Sequence, residues 1–162
     1  MPKAALIMGS MSDWPSLEGC VRVLRSFGIE VEVHVASAHR TPEKVAAFAD
    51  SARENGFEVI IAAAGKAAHL AGVIAGHTTL PVIGIPIKSS FMDGLDSLLS
   101  TVQMPTGIPV ATVAVGGGDN AAYLAAQILS IKYPALADRL AAHRAQMAEA
   151  IDADDAALNA SL

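Results

Sequence analysis

Aromatic side chains are scarce in this 162-residue chain: one Trp, two Tyr and four Phe make up 4% of it. Cysteine is scarcer still. The single Cys20 excludes a disulfide framework and suits a reducing compartment. No basic run occurs, and 11 Lys and Arg against 16 Asp and Glu leave a formal net charge of −5. Nucleic acid and acidic membrane surfaces are therefore poor partners. No apolar stretch approaches the ~20 residues that a membrane-crossing helix requires. After Lys3 only about six apolar residues precede Gly9-Ser10, too few for a signal peptide, so a soluble cytoplasmic protein is expected. Also missing are a Walker loop, a G-x-G-x-x-G fingerprint, a G-x-S-x-G elbow and any His/Cys/carboxylate spacing typical of a metal site.

What fills the chain instead is small and apolar. Hydrophobic residues make up 52% and charged residues 17%, with 32 alanines among them. That content excludes disorder. The length suits one domain, expected over residues 1–152, with an acidic, frayed tail over 153–162. So few charged groups cover a lone sphere poorly, which points to a homo-oligomer.

Apolar runs alternate with helical periodicity. The first strand falls at residues 4–8 and the second at 30–35, the latter strictly alternating as an edge strand does. Runs at 58–64, 81–87 and 109–115 are continuously apolar, the pattern of strands covered on both faces. The first helix starts near Asp13, carries Leu17, Cys20, Val21, Leu24 and Phe27 on one stripe, and ends at Gly28. The second follows Thr41 as N-cap and Pro42 at the first helical position. Further helices fit 67–75, 94–102 and 120–131, and a long one follows Pro134. Five such units predict a three-layer α/β/α, flavodoxin-like fold with a five-stranded parallel sheet in the order 2-1-3-4-5 and a long C-terminal helix.

Ligands of such sheets bind outside the carboxyl ends of the strands, so the loops there are the places to search. Gly9-Ser10-Met11-Ser12-Asp13-Trp14 combines close backbone approach, hydroxyls and a helix start, which suits a phosphate or ribose as well as it suits plain capping. Ser37-Ala38-His39-Arg40-Thr41-Pro42 sets a planar cation beside an imidazole, whose ordinary titration lies near neutrality. A cation opening a helix works against the helix dipole, so Arg40 calls for another reason. In Gly65-Lys66-Ala67-Ala68-His69-Leu70, Lys66 faces solvent or an anion, and His69 is either a core histidine or the wall of a tight pocket. His34 and His143 read as structural, His77 stays open, and Cys20 lies on an apolar stripe. A fourth candidate, Asp93 to Ser100, reads equally as a helix with polar caps, and Gly116-Gly117-Gly118-Asp119-Asn120 as a turn into a helix.

These loops, with Asp96-Ser97-Leu98-Leu99-Ser100 and Val102-Gln103-Met104-Pro105, together resemble the N5-carboxyaminoimidazole ribonucleotide mutases of purine synthesis, from about Lys3 to Tyr133. The resemblance implies a homo-octamer with active sites at subunit contacts and no metal or organic cofactor. It implies that Ser10 and Asp13, helped by Ser37 and Arg40, hold the phosphate and ribose of the substrate. His39 is then the acid/base residue, and Gly65, Lys66, His69 and Leu70 border the aminoimidazole and the carboxyl group in transit.

The animal-type branch of the family, which uses free CO2, carries Lys where this chain has Arg40 and Ser-Asn where it has Ala68-His69. On both counts the chain resembles the mutases. It departs from their commonest pattern, Gly-Gly-Ala-Ala-His-Leu-Pro-Gly, by Lys66 and Ala71. Direct CO2-dependent carboxylation and a non-catalytic flavodoxin-like binding module are the rival readings.

Overall fold

The structure is a computed structural model that describes residues 1–162. Its strands are β1 (Lys3–Met8), β2 (Glu30–Val35), β3 (Val59–Gly65), β4 (Val82–Ile87) and β5 (Ala111–Thr112). The helices are α1 (Glu18–Ser26), α2 (Pro42–Ser51), α3 (Leu70–His77), α4 (Leu95–Val102), α5 (Gly118–Ser130) and α6 (Pro134–Ser161). All strand pairs are parallel and run β2-β1-β3-β4-β5, the expected order.

Strand period sorts the core into two layers. Ala4, Leu6 and Met8 of β1, Val59, Ile61 and Ala63 of β3, and Ile83, Ile85 and Ile87 of β4 face one side. There they meet Cys20, Val21 and Leu24 of α1, five apolar residues of α5 and Leu136 of α6. The intervening Ala5, Ile7, Ile60, Ala62 and Val82 face the other side, against α2 and α3. Alternation on a two-residue period is what carries one apolar run into two separate layers.

Gly28 ends α1 as expected, at φ 74°, with Ile29 N–H donating to Leu24 O at 3.0 Å and Gly28 N–H to Arg25 O at 2.9 Å. This paired closure requires a left-handed residue at that point. Thr41 does not cap α2 through its side chain. Its hydroxyl instead donates to Ser37 O at 3.1 Å and accepts from Ser37 N–H at 2.8 Å, tying the loop before the helix into a ring.

Two further differences from expectation have local causes. The first helical segment is split, a 3-10 turn over Met11–Ser16 preceding α1, because Pro15 sits inside that turn and withholds an N–H. Strand β5 spans two residues rather than 109–115. Gly84 O still accepts from Val113 N–H, but Pro86, the next β4 residue facing that side, has no N–H to extend the ladder. Through the acidic segment 153–162, α6 continues to Ser161, a run of 28 residues about 42 Å long. Ala and Leu there favour helix locally, although everything from Arg144 onward is exposed.

Gly84 is a close-approach position. A Cβ there would lie 2.4 Å from Thr101 Cγ2 and 2.9 Å from Val110 Cγ1, so α4 rests directly on the β4 backbone. Gly84→Ala is expected to destabilise the fold by about 1–3 kcal/mol through overpacking. Chemical denaturation measures this, and an unchanged midpoint would contradict the packing described.

Candidate active site

The carboxyl ends of β1, β3 and β4, with the loop after β2, enclose a cleft of about 640 Å³. Its walls include Gly9, Ser10, Ser12, Asp13, Ser37, His39, Arg40, Gly65, Lys66, His69, Leu70, Lys88 and Ser89. Every site residue expected from sequence lies on it. Lys88 and Ser89, which no sequence motif marks, also line it, and they leave the carboxyl end of β4 as the other loops leave β1 and β3.

The β1 loop is held by its own hydroxyls. Ser10 Oγ accepts from Ser12 N–H at 3.3 Å and lies 2.9 Å from Ser12 Oγ, so Ser10, rather than Ser12 or Asp13, is the cap. Arg40 reaches across to this loop: its Nη2 donates to Gly9 O at 2.9 Å, and its backbone N–H donates to Ser37 Oγ at 3.1 Å. The guanidinium thereby bridges the ends of β1 and β2, which accounts for a cation at a helix start.

His39 and His69 meet. His39 Nε2 is 2.8 Å from His69 Nδ1, and the rings stand edge to face at 85° with centroids 4.9 Å apart. One nitrogen donates and the other accepts, so a single proton lies between the rings. His39 Nδ1 and His69 Nε2 stay free for a ligand. His69 is exposed rather than a core histidine, and precedes α3, which starts at Leu70 instead of 67. Lys66, in the loop between β3 and α3, has φ 56°. Leu70 presents an apolar edge to the cleft while packing into the core at 2% exposure.

The cleft is cationic in an acidic chain. Asp13 is the only carboxylate on its walls, against Arg40, Lys66 and Lys88. Lys88 pairs with Asp93 at 3.0 Å. Asp96, the remaining carboxylate nearby, is engaged behind the wall, accepting from Ser89 Oγ at 2.7 Å and Ser97 N–H at 2.8 Å. Such walls select an anion of modest size, and the paired imidazoles beside them can move a proton. Elsewhere no three His, Cys, Asp or Glu side chains converge as a metal site requires. No helix is long and apolar enough to cross a membrane.

The remaining histidines are placed otherwise. His34 packs on Phe48, His143 stacks on Tyr123, and His77 pairs with Asp50 at 3.0 Å at the opposite end of the sheet. Burial pushes the Cys20 thiol up to about 12, so it is inert packing.

Fold and cleft together define a doubly wound α/β protein with a hydrogen-bonded imidazole pair in a cationic cleft that suits a small anionic ligand. Residues 3–150 match the AIR carboxylase family model, and the chain belongs to that family. It is 59% identical over 140 residues to the N5-carboxyaminoimidazole ribonucleotide mutase of Saccharolobus solfataricus, covering 86% of this chain and 89% of that protein. Identity to the mutase of Mycobacterium tuberculosis is 51% over 157 residues, covering 97% and 90%. The crystal structure of Treponema denticola PurE superposes with a TM-score of 0.86 at 31% identity, covering 96% of this chain and 98% of that one.

Burial raises the Asp13 carboxyl above its usual range, with the Ser10 backbone and the Arg40 guanidinium pulling partly back. Far below that range the group is protonated in both folded and unfolded chains and costs nothing. As pH rises through the folded value, stability is lost. Asp13→Asn is therefore expected to melt higher than the parent near pH 7, with the gap closing towards about pH 3. Thermal melts at both pH values check the sign.

Proposed function

We infer that the chain is an isomerase of purine synthesis that converts N5-carboxyaminoimidazole ribonucleotide into 4-carboxy-5-aminoimidazole ribonucleotide. The observation that carries the assignment of roles is the His39–His69 contact at 2.8 Å inside a cationic cleft. Mutase relatives at 51–59% identity over most of the chain support the reaction.

In this reading Ser10, Asp13, Ser37 and Arg40 take the phosphate and ribose. The aminoimidazole lies against His39, His69, Gly65, Lys66 and Leu70. His39 gives a proton to the exocyclic nitrogen, the N–C bond of the carbamate breaks, and its electron pair stays on nitrogen as CO2 departs. The neighbouring ring carbon then attacks CO2, and the new carboxylate forms as His39 recovers the ring proton. Protons and carboxyl group balance, and the reaction is a net isomerisation. His69 holds the imidazole of His39 in place through the shared proton and offers its own Nε2 to the substrate. Small walls at Ala64, Ala67 and Leu70 leave a narrow apolar space beside the ring. Holding CO2 there makes recapture intramolecular, an entropic advantage.

Direct carboxylation and a non-catalytic binding module are not favoured, since the identities are to mutases and the cleft has a proton-transfer pair. The finer parts of the reading are a cytoplasmic location, one catalytic domain and a homo-octamer. Exposed Met147, Ile151 and Leu158 on α6, with Phe91, Met92, Leu95 and Leu99 around α4, support burial against other copies.

His39→Asn is expected to retain fold and assembly while turnover of N5-carboxyaminoimidazole ribonucleotide, followed by ultraviolet absorbance without bicarbonate, falls by roughly 10²-fold or more. A near-normal rate would remove the role given to His39. Light scattering is expected to return an assembly of eight chains; a stable monomer at micromolar concentration would refute the oligomer.

A further inference from the structure

Among the residues that line the cleft, only Lys66 has a left-handed backbone, at φ 56°. A side chain is costly in that conformation, where glycine is comfortable. The fold does not use the ammonium in return. Lys66 is exposed and enters no hydrogen bond or ion pair within the chain, whereas Arg40 is engaged with Gly9 and Lys88 with Asp93. Backbone strain of this kind concentrates where a ligand gives it a use. Position narrows the ligand group. Lys66 leaves β3 three residues before His69, on the side of the imidazole pair, while Arg40 and the serines gather at the ends of β1 and β2.

We propose that Lys66 is the carboxylate contact of the cleft, a specificity-determining residue that binds the carboxyl group at both ends of its transfer. This rests on the isomerase reading given above. The carbamate and the ring carboxylate are both anions, and the CO2 between them is neutral. The ammonium therefore stabilises substrate and product but not the intermediate, and it keeps its own protons throughout. A contact made in the ground states alone lowers KM without raising kcat.

The test compares two ligands on the wild-type protein, Lys66→Met and Lys66→Gly by calorimetric titration. Aminoimidazole ribonucleotide carries the phosphate but no carboxyl group; 4-carboxy-5-aminoimidazole ribonucleotide carries both. Both variants are expected to lose about tenfold in affinity for the carboxylated ligand and to bind the other as the wild type does. KM rises in step while kcat does not fall. Lys66→Gly melts at or above the wild-type temperature, which separates lost contact from lost fold. Equal losses for both ligands would make Lys66 a phosphate contact and overturn the proposal, as would no loss for either. Loss of the isomerase reading itself would show separately, in no turnover of N5-carboxyaminoimidazole ribonucleotide by the wild-type protein.

Discussion

Strands β1, β3 and β4 bury side chains on both faces, and this constraint determines where chemistry can occur in the molecule. A parallel sheet covered by helices on both sides has no room for polar groups within it. Each connection from strand to helix must emerge at the carboxyl edge, and three of these emerge side by side because β1 and β3 are neighbours and β4 adjoins β3. Ser10, His69 and Ser89, distant in sequence, become one wall for that reason.

Close packing has a second consequence. Alanine and glycine at the strand and helix contacts let the layers approach, as at Gly84 beneath Thr101. The carboxyl ends of the strands then converge enough for an arginine after β2 to reach the backbone after β1. Arg40 thus serves as a brace and as part of the cationic wall. The acidic groups that give the chain its net charge of −5 lie largely elsewhere, so the cleft draws anions into a molecule that otherwise repels them.

The same economy leaves apolar surface outside the core. The long α6 contributes Leu136 to the inner layer and then runs into solvent, with Met147, Ile151 and Leu158 uncovered. Around α4 the backbone passes through left-handed Met92 and Asp93 before Gly94, and sets Phe91 and Met92 outward next to the cleft. Low charge in the sequence and bare apolar faces in the fold are two views of one property.

Sheet order, the strand centres and the identity of three site loops were legible from sequence. Binary pattern and turn residues are local, and the strand-end rule converts them into a place for ligands. The shortness of β5 is not legible in its continuous apolar run, because it depends on the ladder N–H that Pro86 of the neighbouring strand lacks. The full length of α6 is not legible in the acidic composition of 153–162, which masks the alanines and leucines that favour helix there. Lys88 and Ser89 are not legible as site residues, because neither residue type is distinctive without its neighbours. By itself the sequence determined that residues such as His39, Arg40 and His69 stand at strand ends. Only the tertiary structure decided that the two imidazoles share a proton, that Arg40 spans two loops, and that Lys66 sits unpaired on a strained backbone. The first two are distances between segments far apart in the chain, which exist only once both faces of the sheet are covered, and the third is a backbone torsion that composition and pattern do not reveal.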